Sequence, residues 1–206
     1  MTEEKIYLYP VWVRLWHLLN AILCLTLIIT GISMQFSNPQ FPLIRFRVAV
    51  SIHNIVGITL SVNYLLFFLG NLFTHNGKYY KLIFPGLYSR LMTQFKYYTR
   101  GLFKGESAHY PLNSERKFNP LQQVTYVGSM YVLIPVIIIS GWALFYPEII
   151  PARVLWTSGL HLTDLFHIMA AFLVSLFMFI HIYFCTIGKT PFSNFMSMIN
   201  GYHESH

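Results

Sequence analysis

The sequence predicts an all-α membrane protein, a four-transmembrane-helix bundle with a cytoplasmic amphipathic helix between helices two and three. Three observations carry this. Of 206 residues, 55% are hydrophobic and 10% charged, with a positive mean hydropathy, a balance foreign to soluble domains. Four stretches, about 14–35, 48–73, 121–146 and 160–187, reach the ~20 apolar residues needed to cross a hydrocarbon core, so residues 1–206 read as a single membrane domain. The basic residues are also sided. Lys78, Lys81, Arg90, Lys96, Arg100, Lys104, Arg116 and Lys117 lie between helices two and three, and with Lys5, Arg14 and Lys189 they make eleven of fourteen, against Arg45, Arg47 and Arg153. The positive-inside rule then places both termini and the long loop in the cytoplasm. The net charge of +7 is topology rather than a nucleic-acid surface.

The amino-terminal MTEEKIYLYP carries Glu3 and Glu4 and has neither a basic leader nor a small-residue cleavage site, so helix one is expected to be retained. Helix one follows Pro10, with Trp12, Arg14 and Trp16 as interface anchors and His17 just inside the boundary. A short outer loop with Pro39 and Pro42 leads to helix two, where SIHNIVG sets His53 near the outer boundary. Gly57 shares the face of His53, and Gly31 lies fourteen residues after His17 on that residue's face. Small residues at these points leave room for a flat ligand.

The connection over 74–120 contains LYSRLMTQFKYYTRGLF, with Leu87, Leu91, Phe95, Tyr98 and Leu102 at helical spacing among Arg90, Lys96 and Arg100. This is the amphipathic helix, lying on the anionic leaflet or packed against the bundle. Asn119 and Gln122 stand at the mouth of helix three, which lacks histidine and charge and reads as scaffold. Helix four carries His161, Asp164, His167 and His181, and the tail KTPFSNFMSMINGYHESH has an apolar stripe.

His167 and His181 are fourteen residues apart on one helix, which places them ~21 Å apart along the axis and on nearly one face. With cytoplasmic termini, His17 and His181 share the inner level, while His53 and His167 share the outer one. Each level therefore holds two imidazoles from different helices. Cys24 and Cys185 lie inside helices, with no Cys-x-x-Cys-His run for covalent haem and no cysteine cluster for iron–sulfur. Two imidazoles leave a tetrahedral zinc or copper site incomplete, whereas haem iron takes two axial ligands. The pattern thus suits two stacked haem b groups, and its rival is a haem-free transporter whose histidines handle protons or metal. His75, His109, His203 and His206 fall in loops or the tail, and His161 reads as a surface residue or a neighbour of a ligand. Arg14 inside and Arg45 or Arg47 outside could pair with haem propionates or serve as interface anchors.

The segments RLWHLLN, SIHNIVG, SGWALFYP and FHIMAAFLVSLFMFIHIYF resemble the bacterial di-haem cytochrome b membrane subunits of periplasmic formate dehydrogenases, nickel–iron hydrogenases and thiosulfate reductases. The resemblance covers almost the whole chain. It implies a multi-pass inner-membrane protein in which His17 and His181 ligate the inner haem and His53 and His167 the outer one. It also implies a cytoplasmic-side site for a quinone such as menaquinone or ubiquinone. The formate dehydrogenase branch carries an Asn-x-x-Gln run before helix three, and Asn119, Pro120, Leu121 and Gln122 are similar, although Pro120 and Leu121 depart from that branch's small residues. Asn119 and Gln122 would bind quinone with His181, the alternative being an ordinary amide pair at a helix start. The expected partners are a periplasmic iron–sulfur or multihaem subunit, a separate catalytic subunit, the quinone pool and lipid. A stand-alone transmembrane haem b reductase is the other reading that keeps the haems.

Overall fold

The computed structural model describes residues 5–38, 40–188 and 190–204; of the residues named above, Glu3, Glu4, Pro39, Lys189 and His206 lie outside them. Hydrocarbon offers backbone groups no partner, so long apolar runs satisfy them internally as helices. The helices in chain order are α1 (Val11–Gln35), α2 (Phe46–Phe73), α3 (Leu87–Lys96), α4 (Pro120–Gly128), α5 (Ile134–Phe145), α6 (Gly159–Cys185) and α7 (Ser193–Asn200). Four candidate spans result: α1, α2, the continuous Pro120–Phe145 and α6. The protein is thus all-α, with two short strand pairs among the described residues, one joining the terminal segments and one in a hairpin. The third span is interrupted by a π turn, Ser129–Leu133, directly before Pro135 in α5. Proline lacks the N–H for the preceding turn and its ring crowds that turn's carbonyl, and a widened turn absorbs both defects.

Two compact units divide the chain. The first comprises Met1–Arg14, Gly70–Met130 and Phe179–His206. Here β1 (Lys5–Tyr7) pairs antiparallel with β4 (Tyr202–Glu204), setting Ile6 opposite His203 and Tyr7 opposite Tyr202. The tail is therefore built into the unit. Gly201 ends α7 at φ 89°, and its carbonyl accepts from Leu8 and Tyr9 N–H at 3.0 and 3.2 Å. A Cβ there would meet the Tyr7 ring at 2.7 Å and the Tyr9 carbonyl at 2.9 Å. Gly201→Val is expected to cost at least ~1–3 kcal/mol from the left-handed backbone alone, read as a lower thermal midpoint of the solubilised protein. An unchanged midpoint would show that the two terminal segments do not depend on this turn.

The amphipathic segment forms α3 and continues through a π turn, Tyr97–Gly101. It packs against α4 with Gln94 buried, while Tyr88 and Phe95 remain exposed. Bundle packing thus accounts for one face.

The second unit comprises Leu15–Leu69 and Tyr131–Met178, so it draws on all four spans. Trp16 stacks on the buried Phe67 at 4.4 Å and donates Nε1–H to the Asn63 carbonyl at 3.0 Å. Trp16, expected as an interface anchor, also packs on α2, where its indole N–H finds the acceptor that a half-buried N–H needs. Asn63 Nδ2 in turn donates to Asn20 Oδ1 at 3.3 Å, and Trp142 Nε1 of α5 donates to Ser61 Oγ of α2 at 3.0 Å. Ala49, Leu60, Ala170 and Val174 complete the core. Leu18, Ile22, Ile55, Leu66, Ile139 and Phe172 face outward, as a lipid-solvated surface requires. The turn before α6 is a small hairpin of β2 (Arg153–Val154) with β3 (Thr157–Ser158). Gly159 follows because a Cβ there would stand 2.0 Å from the Pro151 carbonyl.

Candidate functional site

The second unit brings His53 of α2 and His167 of α6 together, their ring centres 6.3 Å apart and their planes at 69°. Each ring is held at Nδ1 by a hydroxyl from a third helix. Thr30 Oγ1 of α1 lies 2.8 Å from His53 Nδ1, and Ser140 Oγ of α5 lies 2.9 Å from His167 Nδ1. Both hydroxyls also donate within their own helix, Thr30 to the Thr26 carbonyl at 2.8 Å and Ser140 to the Val136 carbonyl at 2.7 Å. A carbonyl can only accept, and a hydroxyl has one proton. With the hydroxyl proton given to the helix carbonyl, the threonine and serine oxygens accept from the imidazoles, a pairing that calls for the Nδ1–H tautomer of each ring. That tautomer leaves Nε2 of each ring as the lone-pair donor a metal requires.

Glycines stand beside both rings. A Cβ on Gly31 would meet His53 Cε1 at 3.7 Å and one on Gly141 would meet His167 Cε1 at 3.2 Å, whereas one on Gly57 would meet nothing within 4 Å. The smallness of Gly31 and Gly57 was legible, but that of Gly141 was not. Neither Thr30 nor Ser140 stood out in sequence, because their role depends on the register between helices.

In the first unit, His181 of α6 takes its Nδ1 partner from Tyr126 of α4, whose hydroxyl is 3.2 Å away. Cys185, one turn on, puts its sulfur 3.8 Å from His181 Nε2. Asn119 caps α4: its Oδ1 accepts from Gln122 N–H at 2.9 Å, and Gln122 Oε1 accepts from Asn119 N–H at 3.2 Å. That reciprocal box uses one amide oxygen of each residue. Asn119 Nδ2 then donates to the Tyr98 hydroxyl at 2.8 Å, and the Tyr98 ring packs 4.6 Å from Phe184 of α6. Gln94, one turn before Tyr98, is buried with an Oε1 that accepts no hydrogen bond among the described residues. Arg14 donates through one terminal nitrogen to the Ile199 carbonyl in the last turn of α7, a natural seat for a cation. Its Nε is buried without a partner among the described residues.

His17 lies in the second unit on α1, its ring centre 6.5 Å from that of Trp16. Arg45, Arg47, His161 and Asp164 are exposed. Among the described residues no group of three or more His, Cys, Asp or Glu side chains could hold a metal ion.

A family model described as prokaryotic cytochrome b561 matches residues 8–201. The chain belongs to this family. Over 205 residues it is 37% identical to YdhU of Escherichia coli (strain K12), a protein bearing a provisional cytochrome name; the match covers 98% of this chain and 76% of the relative. The protein is accordingly a multi-pass bacterial membrane cytochrome of the haem b, electron-transfer type.

The donor set of this cytochrome fits haem. Metal–imidazole bonds of ~2.0–2.1 Å on each side of an iron put the two ring centres about 6 Å apart, the spacing that His53 and His167 hold. If His167 ligates haem, Ser140→Ala is expected to weaken retention of that haem by roughly tenfold to a hundredfold, the usual effect of deleting a hydrogen bond behind a ligand. Ser140→Thr restores it. Haem-to-protein ratios after detergent washing check this, and equal ratios in wild type and alanine variant would remove Ser140 from the site.

Proposed function

We propose that the cytochrome holds two haem b groups, one between His53 and His167 and the other between His17 and His181, and conducts electrons across the membrane. The path joins a cytoplasmic-side quinone site to a periplasmic iron–sulfur or multihaem subunit whose complex includes a separate catalytic subunit. The observation that carries this reading is the His53 and His167 pair, with ring centres 6.3 Å apart and a hydroxyl from another helix at each Nδ1, an arrangement that suits ligation through Nε2. The fourteen-residue interval on α6 supplies a second imidazole donor of the same kind at His181. Bound haem b supplies a one-electron carrier whose potential follows ligation, hydrogen bonding and burial.

The chain's own residues do the positioning. Thr30, Ser140 and Tyr126 fix the imidazole planes, and the glycines leave the space beside them. On the quinone side, Tyr98, Asn119 and the buried Gln94 oxygen form a polar group in an otherwise aromatic setting. Such groups suit hydrogen bonding to a quinol or quinone with little water present. Gln122 Nε2 takes no part in the capping box and is the amide donor closest in role to the one the family resemblance implies.

A reduced-minus-oxidised spectrum of the purified protein, with haem counted against protein, tests the reading. Two b-type haems per chain, both reducible by added quinol, are expected. A count of one would overturn the di-haem assignment, and two haems that quinol cannot reduce would overturn the quinone site alone.

A further inference from the structure

A cavity of about 310 Å³ opens in the first unit between the turn after α2, the region of Ile83 and Arg90, and the turn that leads into α4. Lys78, Lys81, Arg90, Arg116 and Lys117 line it, against a single carboxylate, Glu115. The haem and quinone reading uses none of these residues.

Lys117 is the telling member. It is 3% exposed, and its Nζ donates to Asn76 Oδ1 at 3.0 Å and lies 4.6 and 5.4 Å from the ring centres of Tyr9 and Tyr79. No carboxylate reaches it among the described residues, and burial pushes its pKa down to about 8. An ammonium carries three donors and loses much hydration on burial, so an anion close by would stabilise it strongly. The neighbouring cations are also held by uncharged groups. Arg90 donates to the Ile83 and Pro85 carbonyls, Arg116 lies over the Tyr110 ring, and Lys78 lies over that of Tyr79. These contacts fix the side chains without neutralising them. Gln123 Nε2 braces the wall by donating to the Tyr79 and Lys81 carbonyls at 2.9 and 3.1 Å.

The surroundings indicate what the anion is attached to. The cavity's walls run from beyond the end of α2 at Phe73 to the first turn of the third span, where Pro120 and Gln123 line it, and span ends are where headgroups meet acyl chains. Ile83 lines the cavity, and Phe73 and Phe84 are 79% and 73% exposed at either side of that turn in sequence. Basic pockets at span ends beside apolar surface are suited to acidic lipid headgroups. We propose that this cavity binds a phosphate group, with an anionic phospholipid as its carrier.

The test uses the full haem-loaded protein in nanodiscs of phosphatidylcholine with and without phosphatidylglycerol, reading retained lipid by native mass spectrometry. The wild type is expected to retain phosphatidylglycerol, and Lys81→Ala/Arg116→Ala to retain it roughly thirtyfold less, each basic residue contributing about a factor of five. Lys96→Ala/Lys104→Ala removes the same charge from the same loop outside the cavity and is expected to behave as wild type. A parallel arm in detergent uses inorganic phosphate alone. Saturable, cavity-dependent phosphate binding without lipid retention would assign the site to free phosphate and overturn the lipid as carrier. Equal retention in the two double variants, or retention unaffected by either, would show that the cations serve topology only and overturn the site.

Discussion

His167→Ala is expected to purify with one haem b per chain, keeping the haem assigned to His17 and His181 and losing the one assigned to His53. The reason is geometric. The ring centres of His53 and His167 stand 6.3 Å apart, and each ring's Nδ1 is held by a hydroxyl of a different helix. Truncating one leaves a single axial donor in an apolar setting, and a haem held on one side alone exchanges far more readily. His53→Ala should give the same spectrum, and the two losses should not add, because both remove the same group. A chemical reductant would still reduce the remaining haem, and quinol would too, since the proposed quinone site adjoins His181. Retention of two haems in His167→Ala would break the pairing outright. Loss of both would show that the two sites fold as one.

Much of this was legible in the chain. The histidine positions, the four spans and the amphipathic segment follow from periodicity, because a spanning helix must be long and apolar and a ligand within it stands out. Asn119 and Gln122 were visible as a pattern, but the same Asn-x-x-Gln spacing is also what a capping box needs, and the geometry shows that box formed. Thr30, Ser140 and Tyr126 were not legible as partners of histidines. Serine and threonine recur in spanning helices, where they bond their own backbone, as Thr26, Thr59 and Ser175 do here. Only the register between helices separates a hydroxyl behind an imidazole from one bonded solely within its own helix. The return of the tail onto β1 escaped for a different reason, since strands of three residues carry no period.

Tyr126→Phe and His181→Ala together locate the other end of the electron path. His181→Ala is expected to remove the second haem and abolish quinol-driven reduction, while the haem at His53 and His167 remains reducible by dithionite. Tyr126→Phe preserves ring volume and the packing of Phe118 against it at 4.9 Å, and deletes only the hydroxyl 3.2 Å from His181 Nδ1. Its haem content should stay at two, with the potential of one haem displaced and quinol-driven reduction slowed about tenfold or more, the scale of losing a hydrogen bond behind a ligand. Redox titration followed at the b-type band separates the outcomes. If Tyr126→Phe displaced the haem lost in His167→Ala, the assignment of Tyr126 to the quinone-side haem would fall. If it displaced neither, the hydroxyl would be bonding an imidazole that binds no iron, and His181 would have to be reassigned.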